Sequence, residues 1–275
     1  MLFVYYPLLL NFRYSVEESN IFTGEQRFVG MANYTTMLAD PVFWRSLVNN
    51  GVYAAISVVF QVFFALVLAA VIESRIRSKR WRGALRSIYF LPSAMSLTVT
   101  GLLFSFIYQP QGGLLNGILD AVGLGELQQA WLGNSSTAML AIIAMSQWQG
   151  FGYSTLLFAV AIQRIPSEIY EAADLDGVGP IRQVFSITMP LIREMTGVMM
   201  IIVVSGAFQV FNEVMVMTSG GPDNSTQVLG TWLYRSGFVK NNFGYAAAIA
   251  VVVFAITLVL AIVQVRYTNK RRVSW

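Results

Sequence analysis

"PSEIYEAADLDGVGPIRQVFSITMP", residues Pro166–Pro190, separates two long apolar runs in a chain that is 56% hydrophobic. It holds Glu168, Glu171, Asp174 and Asp176, four of the fourteen acidic residues of the protein. Its local chemistry reads as two short helices joined by a turn. Ser167 follows Pro166 and can cap the first helix, with Glu168 and Glu171 in its early turns, where the helix dipole favours carboxylates. Ile169, Ala172 and Ala173 stand at i, i+3 and i+4 and share one face. Gly177 suits the left-handed position that ends a helix, and Pro180 suits the first turn of the next. That second helix carries Val184, Ile187 and Thr188 on one face before Pro190 begins the next apolar run. Two roles fit this shape. Small residues let a partner backbone approach closely, whereas an amphipathic linker rests on lipid headgroups. An acidic face matches an anionic membrane surface poorly, which favours the protein partner.

The surrounding composition is that of a membrane protein. The 275 residues have a mean hydropathy of +0.59 and only 12% charge. Apolar segments cover Met1–Leu10, Ser46–Ile72, Ser87–Tyr108, Thr137–Gln163, Leu191–Thr218 and Gly244–Val265. All but the first reach the roughly 20 residues that cross a bilayer. The fold class expected is therefore all-α, a polytopic membrane protein of about six transmembrane helices with the first incomplete. Met1–Leu10 would cover about 15 Å as a helix, half of a hydrocarbon core. It has neither a basic start nor a small-residue cleavage site, so it reads as the remainder of a helix that begins upstream rather than a signal peptide. The chain has no His and no Cys, which removes His-based triads, thiolate metal sites and disulfides. Nothing in it resembles a nucleic-acid patch.

Basic residues set the orientation. The Glu73–Arg86 connection holds Arg75, Arg77, Lys79, Arg80, Arg82 and Arg86, and the tail adds Arg266, Lys270, Arg271 and Arg272. Gln109–Ser136 has none, and Thr218–Phe243 has only Arg235 and Lys240. This bias places Glu73–Arg86, Arg164–Pro190 and the C-terminus in the cytoplasm. The basic run is read as a topology determinant whose side chains snorkel to the headgroups. Pro92 within the third span is tolerated if neighbours satisfy the carbonyl it frees.

The spacing Glu171-Ala172-Ala173, then Gly177, Ile187 and Met189-Pro190 resembles the EAA loop of ABC importer permeases, with Met189 where that family has Leu. "FVGMANY" (Phe28–Tyr34), "YFLPSAMS" (Tyr89–Ser96), "QPQGGLLN" (Gln109–Asn116) and "TSGGPDNSTQVLGTWLYRSGF" (Thr218–Phe238) are similar to stretches of the carbohydrate-type branch, which includes maltose and glycerol-phosphate permeases. The Gly-Gly-Pro loop points to the first of its two non-identical permease subunits. The resemblance implies a type I importer permease fold, with residues 1–275 as a single transmembrane permease domain. Its coupling loop would span about 164–190, and its external loops about 11–45, 109–136 and 218–243. It also implies that Glu171, Ala172, Ala173, Asp176, Gly177, Ile187 and Pro190 couple the chain to an ATPase. No Gly-x-x-x-x-Gly-Lys-Ser/Thr motif occurs, and the resemblance implies that a dimer of separate subunits binds ATP and Mg²⁺ and that this chain is not an enzyme. The further partners implied are a second permease subunit and an external substrate-binding protein.

Polar groups within spans are expensive facing lipid and mark a candidate substrate path. The fourth span offers Ser146, Gln147, Trp148, Gln149, Gly150 and Tyr153, and the fifth Ser205, Phe208, Gln209, Asn212 and Glu213. Aromatic faces with amide and hydroxyl partners suit a sugar ring. By resemblance to the maltose permease, Ser146, Gly150 and Tyr153 match substrate-site positions directly, and Ser205, Phe208 and Gln209 match if a small gap is allowed. The same residues can instead hold helices together. Glu213 can also be a loop-edge residue. Gly150 and Gly152 suit close packing or backbone exposure to the path. No Arg or Lys lies deep in a span, which favours a neutral cargo over a polyamine or phosphate ester. A stand-alone secondary transporter would need coupling-ion sites or an internal repeat, and neither is evident. A bacterial or archaeal cytoplasmic membrane is the location implied.

Overall fold

The computed structural model describes residues 2–19, 26–75 and 78–269. Arg77, Lys270, Arg271 and Arg272 of the expected cytoplasmic basic set lie outside them. The chain opens with helix α1 (Leu2–Tyr14), followed by strands β1 (Glu17–Ser19) and β2 (Gln26–Phe28). These pair antiparallel with Glu17 opposite Phe28, a small hairpin that an all-α expectation omits. Helices α2 (Ala32–Ala39) and α3 (Pro41–Ser57) follow, and a π-helical stretch, Val58–Phe64, leads into α4 (Ala65–Arg75). After α5 (Lys79–Phe90) and a 3-10 turn, Leu91–Ala94, come α6 (Leu97–Ile107), α7 (Leu114–Ala121) and α8 (Ala138–Ile162). The acidic segment forms α9 (Ser167–Leu175), α10 (Pro180–Gln183), a π turn at Val184–Thr188 and α11 (Met189–Leu191). The chain ends with α12 (Arg193–Phe208), α13 (Asn212–Met217), α14 (Leu229–Tyr234), a π turn at Arg235–Val239 and α15 (Phe243–Asn269).

Among the described residues, two continuous helices are long and apolar enough to cross a membrane, Pro41–Ser74 and Phe243–Arg266. They extend the runs expected at Ser46–Ile72 and Gly244–Val265. The third and fifth expected spans are not straight helices. Arg80–Ala94 and Leu97–Ile107 meet at a 92° bend, and Pro180–Leu191 and Arg193–Phe208 at a 79° bend, giving up to four spans if each pair counts as one. Pro92 sits in the 3-10 turn that ends the first arm, where it lacks an N–H and clashes with the preceding turn; the break itself follows at Met95–Ser96, where Met95 is extended. The fifth run breaks again after Phe208, so Asn212 and Glu213 belong to a different helix from Ser205 and Phe208. The fourth run is one 25-residue helix, α8, whose polar centre "SQWQGFGYST" keeps it out of the strongly apolar set. The count of six is thus coarser in the structure than in the hydropathy.

The chain divides into two compact units. The first comprises Met1–Tyr53, Gly101–Ile142 and Gly206–Leu260, and the second Ala54–Thr100, Ile143–Ser205 and Ala261–Trp275. The core of the first gathers Met37, Phe43, Leu229, Trp232, Tyr245 and Ile249. Buried polar side chains tie its loops down. Asn49 Nδ2 donates to the Ser225 and Gln227 carbonyls, both at 2.8 Å. Asn50 Nδ2 donates to the Ala207 carbonyl at 2.6 Å, while its Oδ1 accepts the Leu229 N–H at 2.9 Å. Asp40 accepts from Trp232 Nε1 and the Tyr245 hydroxyl. In the Gln109–Ser136 stretch, the buried Asn116 donates to the Pro110 and Gln129 carbonyls and accepts from Trp131 Nε1. The second unit packs Leu66, Ala69, Phe158, Ile162, Val184, Ile192 and Met199 into one apolar cluster, which seats the acidic segment.

Candidate coupling segment and polar spans

Proline starts the segment and glycine ends its first helix. Pro166 occupies the boundary position before α9 with φ −56° and makes no side-chain cap. The Ser167 cap expected from sequence is therefore not formed: Ser167 is already the first helical residue, too late to reach the second or third amide with its hydroxyl. The other end forms as expected. Gly177 takes φ +70°, the Gly177 N–H donates to Asp174 O at 3.1 Å, and the Val178 N–H donates to Ala173 O at 2.9 Å. This paired closure satisfies the last carbonyls and turns the chain sharply. Gly179 is extended, and Pro180 then opens α10.

Three side-chain bonds fix the fold-back. Gln183 Nε2 donates to Asp174 Oδ1 at 2.6 Å and to the Val178 carbonyl at 3.0 Å. The Tyr170 and Thr188 hydroxyls lie 2.9 Å apart. Burial pushes the Tyr170 hydroxyl above its ordinary value, partly offset by the Thr188 bond, so it stays protonated at neutral pH. Ala173, Val184 and Thr188 are buried, and Ile169 and Ile187 half-buried. Ala172 is exposed, so the face expected to unite Ile169, Ala172 and Ala173 divides: the i+4 position turns inward and the i+3 position outward. Glu171, Ala172, Asp176, Gly177 and Pro190 are exposed, whereas Ile187 packs inward.

The outward surface also carries Leu175, 90% exposed, and Ile181, 75% exposed. Sequence reading passed over both, although an apolar residue at each edge of a Gly–Pro turn is the signal that marks them. Behind the segment, a 630 Å³ cavity is bordered by Tyr170, Glu171, Asp174, Glu73 and Arg82. The Glu73 side chain is only 5% exposed and accepts from Arg82 at 3.4 Å and from Arg86 Nε at 3.1 Å. These two arginines, read from sequence as topology signals with snorkelling side chains, bind a buried carboxylate instead.

The polar residues of α8 are mostly engaged within the second unit. Gln147 Nε2 donates to Ser57 Oγ at 3.1 Å, and its Oε1 accepts from Gln61 Nε2 at 2.9 Å. Gln149 Nε2 donates to the Met95 carbonyl at 2.8 Å, while its own carbonyl accepts from Ser93 Oγ at 2.6 Å. Ser146 is buried, Gly150 half-buried against Gln61, and Trp148 and Tyr153 are 44% and 46% exposed. Gly152 is required by a close approach, because a Cβ there would stand 1.7 Å from the Tyr89 carbonyl oxygen. Ser205 also belongs to the second unit and is half-buried. In the first unit Phe208 packs against the core, Gln209 and Asn212 are exposed, and Glu213 is buried and accepts the Tyr53 hydroxyl at 3.0 Å. Glu213 is thus a buried first-turn residue of α13 rather than a loop edge.

Residues 41–273 match the family described as the binding-protein-dependent transport system inner membrane component. The chain belongs to that family. This permease is 49% identical to the probable ABC transporter permease protein YurN of Bacillus subtilis (strain 168), over 97% of its own length and 91% of the relative's. It is 36% identical to the diacetylchitobiose uptake system permease protein NgcF of Streptomyces coelicolor, covering 87% of itself and 70% of that protein. Its fold matches a chain in the crystal structure of a bacterial ABC transporter that imports the acidic polysaccharide alginate. That likeness has a TM-score of 0.86 at 22% identity and covers 98% and 90% of the two chains. Membership makes this permease a transport subunit rather than a catalyst, and it accounts for the apolar helices as membrane spans.

Proposed function

We propose that this permease is one of two non-identical membrane subunits of an ATP-driven importer for a sugar, oligosaccharide or sugar-like solute. Residues 1–275 act as a single permease domain that crosses the cytoplasmic membrane of a bacterium or archaeon six times. A dimer of separate subunits binds ATP and Mg²⁺, and an external binding protein delivers cargo to the stretches 11–45, 109–136 and 218–243. Closure of the ATPase dimer pulls α9 and exchanges inward-open for outward-open states of the spans.

The observation that carries this reading is the outward face of the acidic segment. Leu175 and Ile181 stand almost fully exposed beside Glu171 and Asp176, on a stretch that Lys/Arg bias assigns to the cytoplasm. Burying one such side chain in a groove gains about 1.5–3 kcal/mol, and the flanking carboxylates select a groove with basic edges. The sugar assignment draws support from the name of the Streptomyces relative. It also draws on the aromatic and amide residues of α8, a helix that contains no charged residue.

Co-expression with the second permease and the ATPase subunits, followed by purification through a tag on the ATPase, tests the assembly. Liposomes carrying the complex and its binding protein should take up an oligosaccharide only with internal ATP. Failure of this chain to co-purify, or uptake indifferent to ATP, refutes the reading.

A further inference from the structure

A second cavity, of 810 Å³, lies in the second unit, where the last turns of α8 face the bend from α11 into α12. One side is apolar: Leu157 and Val160 from α8, and Met195 and Val198 from α12. Leu157 and Met195 also pack on the core cluster, which holds this wall in place. Val160 and Val198 remain 45% and 44% exposed on this wall. The other side is cationic. Arg164, just after α8, and Arg193, the first residue of α12, both border the cavity, with Glu194 the one acidic group beside them.

Charge complementarity decides what fits. Among the described residues the ion pairs are Arg13–Glu17, Arg27–Glu18, Arg82–Glu73 and Arg86–Glu73, so neither Arg164 nor Arg193 is paired. Two arginines and one glutamate leave the border with a net positive charge, the complement of a phosphodiester. Arg164 and Arg193 stand at the ends of apolar helices on the side that basic bias assigns to the cytoplasm. Basic pockets between membrane helices on that side are where anionic headgroups bind. A protein segment would need no long apolar wall running away from the charges; a molecule with an anionic head and a hydrocarbon tail needs both. We propose that this cavity holds one anionic phospholipid, with its phosphate between Arg164 and Arg193 and an acyl chain along Leu157, Val160, Met195 and Val198.

The experiment uses the assembled importer in nanodiscs of phosphatidylcholine doped with phosphatidylglycerol that carries a photoreactive acyl chain. Peptide mapping after illumination should place the cross-link within residues 157–160 or 195–198. Unlabelled phosphatidylglycerol should compete, and extra phosphatidylcholine should not. Arg164→Gln with Arg193→Gln should weaken the competition roughly 30-fold, from two lost phosphate contacts near the membrane surface. Val198→Trp fills the apolar wall while keeping both arginines, and should abolish the cross-link in a complex of unchanged size. The proposal is overturned if no label reaches these peptides, or if phosphatidylcholine competes equally. It is also overturned if the double arginine variant, or Val198→Trp in an intact complex, labels like wild type, or if the label lands on another subunit instead.

Discussion

Gly152→Ala adds one methyl group to the centre of α8, and the structure leaves no room for it. The new Cβ would lie 1.7 Å from the Tyr89 carbonyl oxygen, 2.5 Å from its carbon and 3.1 Å from Phe90 Cα. Cβ atoms keep at least 3.0 Å from such neighbours, so the two backbones must part by about 1.3 Å. All three obstructing atoms are backbone, and no rotamer change relieves the clash. Overpacking alone costs about 1–3 kcal/mol. The displaced stretch also includes Ser93 and Met95, which bond to Gln149 on α8. Hydrogen bonds between membrane helices average about 0.6 kcal/mol each, so losing both brings the expected cost to the upper part of that range. The assay is thermal unfolding of the purified complex, with Gly83→Ala as reference, because nothing lies within 4 Å of a Cβ built on Gly83. Gly83→Ala should be neutral or slightly stabilising, since alanine is the better helix former by up to about 1 kcal/mol. Gly152→Ala should unfold at distinctly lower temperature and lose ATP-driven uptake. Equal melting of the two variants would refute the close approach of α8 to Tyr89–Phe90.

Glu73→Gln leaves Arg82 and Arg86 without their carboxylate and should cost about 3 kcal/mol, the low end for a broken buried pair, because those arginines are 25% and 28% exposed and can turn to water; denaturation should show Arg82→Gln to be milder, with Arg86 still on Glu73. Asn50→Leu keeps the branched skeleton but strands the buried Leu229 N–H, costing about 1–3 kcal/mol; hydrogen exchange at Leu229 should accelerate by one to two orders of magnitude. Gln183→Leu removes the tie to Asp174 at about 1 kcal/mol, and limited proteolysis should then cut the Asp176–Gly179 turn faster than in wild type. Leu175→Glu should release the ATPase subunits from the membrane complex without lowering the melting temperature of the permease, which co-purification and thermal unfolding measure side by side.

Legibility followed the distance over which each cause acts. The turn between α9 and α10 could be read because Gly177 and Pro180 act on their own backbone. The bend after Leu91–Ala94 was only half legible: Pro92 stands in the turn just before it, yet whether a helix continues past a proline depends on what meets the freed carbonyl. The break after Phe208 carries no such mark, since neither proline nor glycine stands at Gln209, Val210 or Phe211. Its cause is remote. Asn50 donates to the Ala207 carbonyl, and Gly230 comes so near the Val210 carbonyl that a Cβ there would stand only 2.9 Å from it. The Ala207 carbonyl thus finds its partner far along the chain, which lets the helix stop without orphaning that acceptor. The same reasoning sorts the candidate path residues. Residue type alone ranks Gln147, Gln149, Trp148 and Tyr153 alike, as polar or aromatic groups in an apolar helix, and only the family resemblance sets Tyr153 apart. The structure binds the two amides to Ser57 and the Met95 carbonyl and leaves the two aromatic rings nearly half exposed. An amide already spent on a neighbouring helix must break a bond before it can meet a solute. Gln147 and Gln149 thus act first as ties between helices, the role an apolar span gives its amides.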